Sequence, residues 1–314
     1  MTTATPETTS SAARGWAVAG LVGATLFWAG NFVVGARAVE TIAPLDLVWL
    51  RWVIATVPLL VLAQVLERPD WRAAARAWPW LVVLSLLGLV TYTMLLYVAV
   101  DHSSPLGAAL VNAVNPALIA VAAAAFLGER LSGRRVAGVL VALAGVVVVL
   151  TAGDPAAVLR TGFGGGELVM VVAVCVWTAY TVLGRVAPRV PPVTSTALQA
   201  VAAVVLLAPV VLLTGGPHVP AQGGPVASLV FIGLFPSVLS YLLWNRALTV
   251  VPAGSAGVFM NLVTVNVAVL TVLSGQAMTV AQVVGGALVI GGVVLTSARP
   301  HRPRTTTGAL PPGR

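Results

Sequence analysis

The chain has 314 residues, of which 59% are hydrophobic and 8% are charged, and its formal net charge is +8. A soluble domain has about 25% charged residues, so this composition excludes a soluble globular protein and favours one whose outer surface faces lipid. The 17 basic residues are all arginines, and they lie in short clusters between apolar stretches. A nucleic-acid-binding protein would gather them on one face, so we expect the lipid bilayer and not nucleic acid as a partner.

Long apolar stretches follow a polar start. Residues 1–13 are rich in Thr and Ser, and we expect them to form a disordered tail. A helix that crosses the hydrocarbon core needs about 20 mostly apolar residues. Six candidate stretches follow in chain order, of which the second contains Arg51 and the fifth is shorter than the others: Gly15–Ala36, Leu45–Leu66, Ala77–Val100, His102–Gly128, Val136–Gly153 and Gly164–Gly184.

Two longer stretches complete the apolar part of the chain. Residues 190–245 and residues 247–298 contain no Asp, Glu, Lys or Arg, and each is too long for one span. Gly- and Pro-containing segments at residues 215–217 and 223–225 divide the first stretch into two helices, since such segments favour turns. A break near Ser274–Gln276 divides the second. The sequence therefore predicts ten spans.

The second half of the chain repeats the first. A shift of 147 residues brings Pro105 onto Pro252 and Gly145 onto Gly292, and a shift of 149 residues brings Trp28 onto Trp177. Five spans therefore recur, and because five is odd, the second copy enters the membrane in the opposite orientation. We predict an all-α membrane protein of ten transmembrane helices in two inverted five-helix repeats. The predicted boundaries are 14–153 and 160–298, followed by a basic tail at 299–314.

The arginines predict the orientation. With a cytoplasmic N-terminus, 14 of them face the cytoplasm, only Arg37 and Arg160 face outward, and Arg51 lies within a span. This matches the positive-inside rule. The turn at residues 128–135 carries Glu and Arg, whereas its repeat partner at residues 275–282 is uncharged. We therefore expect both termini in the cytoplasm and the chain in the plasma (inner) membrane.

Several segments resemble a known family. The run Leu127-Gly128-Glu129-Arg130-Leu131-Ser132 resembles the end of an EamA domain, and the segments 28–32 and 50–52 resemble other parts of that family. The resemblance extends from about Trp16 to Ser297 and indicates the drug/metabolite transporter superfamily. It implies a ten-helix carrier or exporter with a substrate cavity between the repeats. It also implies small-molecule substrates such as amino acids, other metabolites or amphipathic compounds.

A polar patch is predicted in the fourth span. Pro116 has no N–H to donate to the carbonyl of Asn112, and Asn112 and Asn115, three residues apart, share one helix face. In inverted repeats such interruptions mark the binding site, so this patch is a candidate substrate contact. The alternative is amide bonding that only packs helices. Asn261 and Thr264 form a similar pair in the ninth span.

Aromatic side chains within the spans are further candidates. Aromatic walls suit an apolar or aromatic substrate, although many such residues only pack or lie at the membrane interface. The candidates are Tyr92, Tyr180, Tyr241, Trp28 and Trp177.

Arg51 is the one basic residue within a span. It is either a substrate contact or a side chain that extends to the outer interface. Asp46, five residues away, is badly spaced for a helical ion pair. No carboxylate lies at the centre of a span, so the sequence does not indicate a coupling ion.

Other classes of protein fit less well. We expect no metal site, no cofactor and no enzyme activity, because no His-Glu metal motif or buried carboxylate pair is present. The alternative to a solute exporter is a lipid or lipid-linked flippase or a membrane assembly partner.

Glycines predict one close helix contact. Gly138 and Gly145 are seven residues apart, as are Gly285 and Gly292, and small residues on one face let helices approach closely. Spans five and ten are predicted to pack through these faces, either on each other or on a second protomer in a homodimer.

Overall fold

The computed structural model describes residues 11–128, 132–151, 153–154, 164–219, 221, 223–248, 250–251 and 259–297. The predicted tail 299–314 lies outside these residues, and so do residues 1–10 of the predicted N-terminal tail. Residues 11–13, which the sequence assigned to that tail, belong to the first helix.

Helices account for the regular structure of the described residues. We number them α1 Ser11–Val39, α2 Pro44–Leu66, α3 Trp71–Ala75, α4 Trp78–Asp101, α5 Pro105–Leu127, α6 Gly133–Leu150, α7 Gly165–Val186, α8 Pro192–Leu213, α9 Gly223–Leu248, α10 Asn261–Leu273 and α11 Val280–Ser297.

Seven of these helices are long and apolar enough to cross a membrane, namely α1, α2, α4, α5, α7, α8 and α9. The apolar parts of α6, α10 and α11 are shorter. The predicted division of residues 190–245 is confirmed, since α8 ends at Leu213 and α9 begins at Gly223. The predicted break after α10 is also confirmed, and Gly275 adopts a left-handed φ of 80° there, a conformation that glycine adopts without strain.

Local sequence determines where several helices begin. Ser104 accepts a hydrogen bond from the N–H of Gly107 at 2.9 Å, and Pro105 follows it in the first turn, where its missing N–H costs nothing. Thr279 and Gln282 bond reciprocally at the start of α11, which is a capping box. The chain thereby satisfies N–H groups that lipid would leave without a partner.

Two helices contain a π-helical segment, Ser85–Thr91 in α4 and Phe235–Leu239 in α9. Such segments widen the backbone and free carbonyl groups, and they are frequent at functional sites. Here the carbonyl of Leu89 accepts from Trp52 Nε1 at 2.9 Å and that of Pro236 accepts from Trp28 Nε1 at 3.1 Å. Both segments therefore bind an indole from another helix.

The predicted glycine faces of α6 and α11 meet each other. A Cβ atom at Gly145 would lie 2.6 Å from the carbonyl oxygen of Gly285, and one at Gly292 would collide with the backbone at Gly138 and Ala142. The two helices therefore contact backbone to backbone within one chain.

Candidate functional site

Arg51 is the most deeply buried charged side chain of the described residues, at 4% exposed. Its Nε donates to Ser237 Oγ of α9 at 2.9 Å, and its Nη1 donates to the hydroxyl of Tyr97 in α4 at 2.8 Å. Tyr97 extends the hydrogen-bond network, since its hydroxyl donates to Asn31 Oδ1 of α1 at 2.9 Å. This network of Arg51, Tyr97, Asn31 and Ser237 joins four helices.

Arg51 is held by neutral groups only. The guanidinium lies 4.9 Å from the ring centre of Trp52 and 5.8 Å from that of Tyr97. No Asp or Glu among the described residues forms an ion pair with it, and Asp46 instead accepts a hydrogen bond from the N–H of His218 at 3.0 Å. A central arginine costs about 2.5–3.5 kcal/mol on insertion scales, so a buried one calls for a function or a partner.

These contacts argue against extension of Arg51 to the outer interface, one of the two alternatives that the sequence left open. The side chain does not extend to the outer interface, because its donors point to Ser237 and Tyr97 inside the bundle. Two neutral acceptors and two aromatic faces together replace water around the charge.

The aromatic candidates form two clusters. In the first, the ring of Trp28 lies 5.8 Å from Tyr241 and 5.3 Å from Trp244. In the second, the ring of Trp177 lies 4.7 Å from Tyr92 and 5.0 Å from Tyr180. The structure therefore brings all five predicted aromatic residues into clusters, with Trp244 beside Trp28.

The two clusters correspond under the sequence repeat. A shift of 149 residues carries Trp28 to Trp177 and Tyr92 to Tyr241. Each pair takes one residue from each half of the chain, because Trp28 contacts Tyr241 while Tyr92 contacts Trp177. The clusters thus lie where the two halves meet.

Arg51 lies close to these clusters. Trp28 of the first cluster donates to the carbonyl of Pro236, the residue before Ser237, to which Arg51 donates. On the other side, Trp52, whose ring lies under the guanidinium, donates to the carbonyl of Leu89, about one turn before Tyr92. A charged donor and two aromatic surfaces therefore share one region of the interior, which is the arrangement that binds a solute with a polar end and an apolar body.

The predicted interruption of α5 is present. Its first part ends at Asn112 and its second begins at Asn115, with Pro116 in the new first turn. Asn115 Nδ2 donates to Asn112 Oδ1 at 2.7 Å, and the hydroxyl of Tyr92 donates to the same oxygen at 3.2 Å. The polar patch therefore touches the second aromatic cluster.

Four buried polar atoms of the described residues have no hydrogen-bond partner. Asn115 Oδ1, Thr178 Oγ1, Gln199 Oε1 and Asn261 Nδ2 are buried and make no hydrogen bond. An unpaired buried polar atom costs about 1–3 kcal/mol. Such atoms are explained where a bound molecule or water completes them.

The predicted pair in α10 divides into two roles. Thr264 Oγ1 donates to the carbonyl of Ala109 in α5 at 3.1 Å, so it packs the two helices together. Asn261 is 7% exposed and its Nδ2 atom is unpaired, so it remains available to another molecule.

An open pocket of about 280 Å³ lies at the ends of α1, α4 and α10. Its lining includes Val33, Arg37, Val100, Asp101 and Thr271. Asn31 and Tyr97 precede Val33 and Val100 by two and three residues, so the Arg51 network lies about one helix turn below the pocket.

Sequence reasoning did not find Tyr97, Asn31, Ser237 or Gln199. One signal was available, because the repeat aligns Arg51 with Gln199 at a shift of 148 residues and Asn31 with Tyr180 at a shift of 149. Polar residues at equivalent places within apolar spans would have pointed to them.

Known proteins resemble this chain over most of its length. Relatives include the uncharacterized transporter YyaM of Bacillus subtilis (strain 168), 29% identical and covering 91% of this chain and 95% of that protein. A probable terminal-alkyne amino-acid exporter of Streptantibioticus cattleyicolor is 28% identical over 90% of this chain and 94% of that protein. The aromatic amino acid exporter YddG of Ancylobacter novellus is 29% identical over 71% of this chain and 78% of that protein.

A crystal structure of another protein shares the fold, with a TM-score of 0.61 and 24% identity over 90% of this chain and 98% of that chain. The EamA-like transporter family matches residues 15–151 and again residues 164–298. Both halves of the chain therefore carry the same family pattern, and seven helices can cross a membrane. The chain belongs to the EamA-like transporter family and is a multi-pass membrane transporter of solutes.

Proposed function

We propose that this protein exports small amphipathic solutes, among them amino acids and metabolites with an aromatic or apolar body, across the plasma membrane. Transport occurs by alternating access to a site between two inverted five-helix repeats. The observation that carries the proposal is the pair of aromatic contacts Trp28–Tyr241 and Tyr92–Trp177, each with one residue from either half of the chain.

The proposed topology has α1, α2, α4, α5 and α6 as the first repeat and α7 to α11 as the second. The doubled family match supports it. The two π-helical segments support it too, because they occur in the third long helix of each repeat. An odd number of spans then inverts the second repeat, which agrees with the charged first turn and the uncharged second turn.

This topology gives Asn261 a position. In it, α5 and α10 run antiparallel, and Thr264 contacts Ala109. Asn261, one turn before Thr264, then lies at the level of Asn112, one turn after Ala109. The amides of Asn112, Asn115 and Asn261 would together form the polar side of the site, and the two aromatic clusters would form its apolar side.

Alternating access follows from this arrangement. Since each aromatic pair and the Arg51–Ser237 bond join the two repeats, a rocking motion of one repeat against the other separates or closes them. The names of the relatives support export as the direction, since two of them are amino-acid exporters. A flippase is not favoured, because the relatives are named for solute transport.

A substrate screen and a flux assay test the proposal. Overexpression should protect cells from toxic amino acids or aromatic metabolites, and the protective solute should show counterflow in proteoliposomes. Trp28→Leu and Trp177→Leu should each lower the flux roughly tenfold, since each variant loses aromatic contact with the solute.

Trp78→Leu is the matched control, because Trp78 is 65% exposed on the outside of the bundle. Its flux should equal that of the wild type. Equal flux in all three variants, or no protected solute across the screen, contradicts the proposed function.

A further inference from the structure

The charge of Arg51 is uncompensated. All hydrogen bonds and ring contacts that the described residues make with its side chain involve neutral groups. The acidic side chain nearest in sequence, Asp46, is bound to the backbone of His218. Within the described part of the chain, the site therefore has one positive charge and no acidic side chain that neutralises it.

Part of the guanidinium is also unused. Arginine has five N–H donors in a planar fork, and only Nε and Nη1 donate to described residues. The N–H groups of Nη2 have no described acceptor. A carboxylate is the group whose two oxygens fit such a fork, with both charge and geometry matched.

The free end of the guanidinium is held in place. Ser237 Oγ, which accepts from Arg51, itself donates to the carbonyl of Ile232 at 2.7 Å. Tyr97, the other acceptor, is fixed by Asn31 and packs closely against Gly35, where a Cβ would lie 2.9 Å from its ring. Arg51 is therefore oriented from two sides, which lowers the cost of ordering it around a ligand.

Its position suits a solute with two unlike ends. The network lies within about one helix turn of the residues that line the open pocket. Arg51 also adjoins both aromatic clusters, through Ser237 next to the carbonyl that Trp28 binds and through Trp52, which binds the turn before Tyr92. At the repeat-equivalent position stands the neutral Gln199, whose Oε1 is unpaired. The two repeat-equivalent positions therefore carry one cationic side chain, Arg51, and one neutral polar side chain, Gln199.

We propose that Arg51 binds the carboxylate of the transported solute through its free N–H groups, with Tyr97, Asn31 and Ser237 as positioning residues. The substrate class is then a small organic acid or amino acid whose apolar body rests on the aromatic clusters. This inference rests on the proposed function, and it adds the chemical group that the site requires.

Three compounds with one ring and one chain length test the carboxylate preference, namely 3-phenylpropionate, 3-phenylpropylamine and 3-phenylpropanol. Their binding to the purified wild-type protein is measured by the thermal shift in detergent as each is titrated. We expect 3-phenylpropionate to bind roughly tenfold more tightly than either of the others, because only it offers a charged partner to Arg51.

Variants then test whether Arg51 causes the preference for the carboxylate. Arg51→Gln should lower the affinity for 3-phenylpropionate to that for 3-phenylpropanol, and Arg51→Lys should retain part of it, since lysine keeps the charge without the fork. Arg72→Gln is the control, because it removes the same charge from the exposed helix α3, and it should bind as the wild type does.

Several results overturn the inference. It fails if the amine or the alcohol binds as well as the acid, if none of the three binds, or if Arg51→Gln keeps the preference. Should Arg51→Gln not fold, the comparison of the three compounds on the wild type decides alone. If carboxylates bind but no solute is transported, the proposed function is contradicted and carboxylate binding by Arg51 is not. If solutes are transported without a preference for carboxylates, only carboxylate binding by Arg51 is contradicted.

Discussion

Glu67, the residue that follows α2, caps the start of α8 through Thr194. Its Oε2 accepts from the backbone N–H of Thr194 at 2.7 Å and from the hydroxyl at 2.6 Å, and its Oε1 accepts from the N–H of Val193 at 2.8 Å. A carboxylate at this place satisfies N–H groups of the first turn and interacts favourably with the helix dipole. It therefore fastens α8 to α2, which pack along each other.

Loss of this cap should destabilise the protein. Glu67→Ala leaves two N–H groups without their acceptor, and we expect a loss of about 2 kcal/mol in the free energy of unfolding. Glu67→Gln keeps a neutral acceptor and should lose less. The measurement is thermal unfolding in detergent, with Glu40→Ala, at an exposed position after α1, as the control. If Glu67→Ala melts at the temperature of the control, the cap contributes nothing to stability.

The contact between α6 and α11 leaves no room for a side chain. In Gly145→Leu the new Cβ would meet the carbonyl of Gly285, and in Gly292→Leu it would meet the backbone of α6. Because backbone atoms cannot yield as side chains do, each variant should lose about 3 kcal/mol or fail to fold. Yield and thermal stability in detergent report the effect.

Gly291 supplies the matched control for this prediction. It is the neighbour of Gly292 in the same helix, and a Cβ there would meet nothing within 4 Å. Gly291→Leu should therefore be as stable as the wild type. If the leucine variants at 145 and 292 behave like this control, the two helices do not depend on close contact.

The proposed inverted topology predicts which turns are accessible from outside. In a Cys175→Ala background we place single cysteines at Gly133 and Ala277, which are both exposed. Ala277 lies in the turn before Thr279, which caps α11, so a cysteine there leaves the cap intact. An impermeant thiol reagent applied to whole cells should label only the cysteine at 277. Labelling at both positions, or at 133 alone, contradicts the inverted repeat.

Much of the helix pattern could be predicted from the sequence. Apolar stretches give the ends of α2, α8 and α10 to within a few residues, because lipid disfavours charges and unpaired backbone groups. The glycine contact between α6 and α11 was also predictable, since a seven-residue spacing returns to nearly the same helix face.

The Arg51 network was not predictable from local patterns. Its partners are separated from each other by 46, 66 and 186 residues, and no helical periodicity links residues on four different helices. Arg51 alone was noticed, because a charge in an apolar span is conspicuous. Tyr97 and Ser237 are ordinary residues of apolar spans until the fold brings them to the guanidinium. The π-helical segments that shape this region have no sequence signal of their own.

The polar patch of α5 contains an amide oxygen without a partner among the described residues. Asn115 is 8% exposed, its Nδ2 is bound to Asn112, and its Oδ1 has no partner. If that oxygen binds the solute, Asn115→Ala should fold and insert normally but lower the flux roughly tenfold, the effect of one buried hydrogen bond. Asn112→Ala should have a weaker effect, because the backbone carbonyl of residue 112, which Pro116 cannot engage, survives the change.

A purely structural role of the patch predicts the opposite pattern. Asn266 provides the comparison, since its Nδ2 lies 3.5 Å from Thr25 Oγ1 and joins α10 to α1. Asn266→Ala should lower thermal stability and leave the flux per folded molecule unchanged. If Asn115→Ala behaves like Asn266→Ala, its amide only packs helices. A fall in flux at unchanged stability means that the amide acts on the solute, because loss of a packing contact lowers stability first.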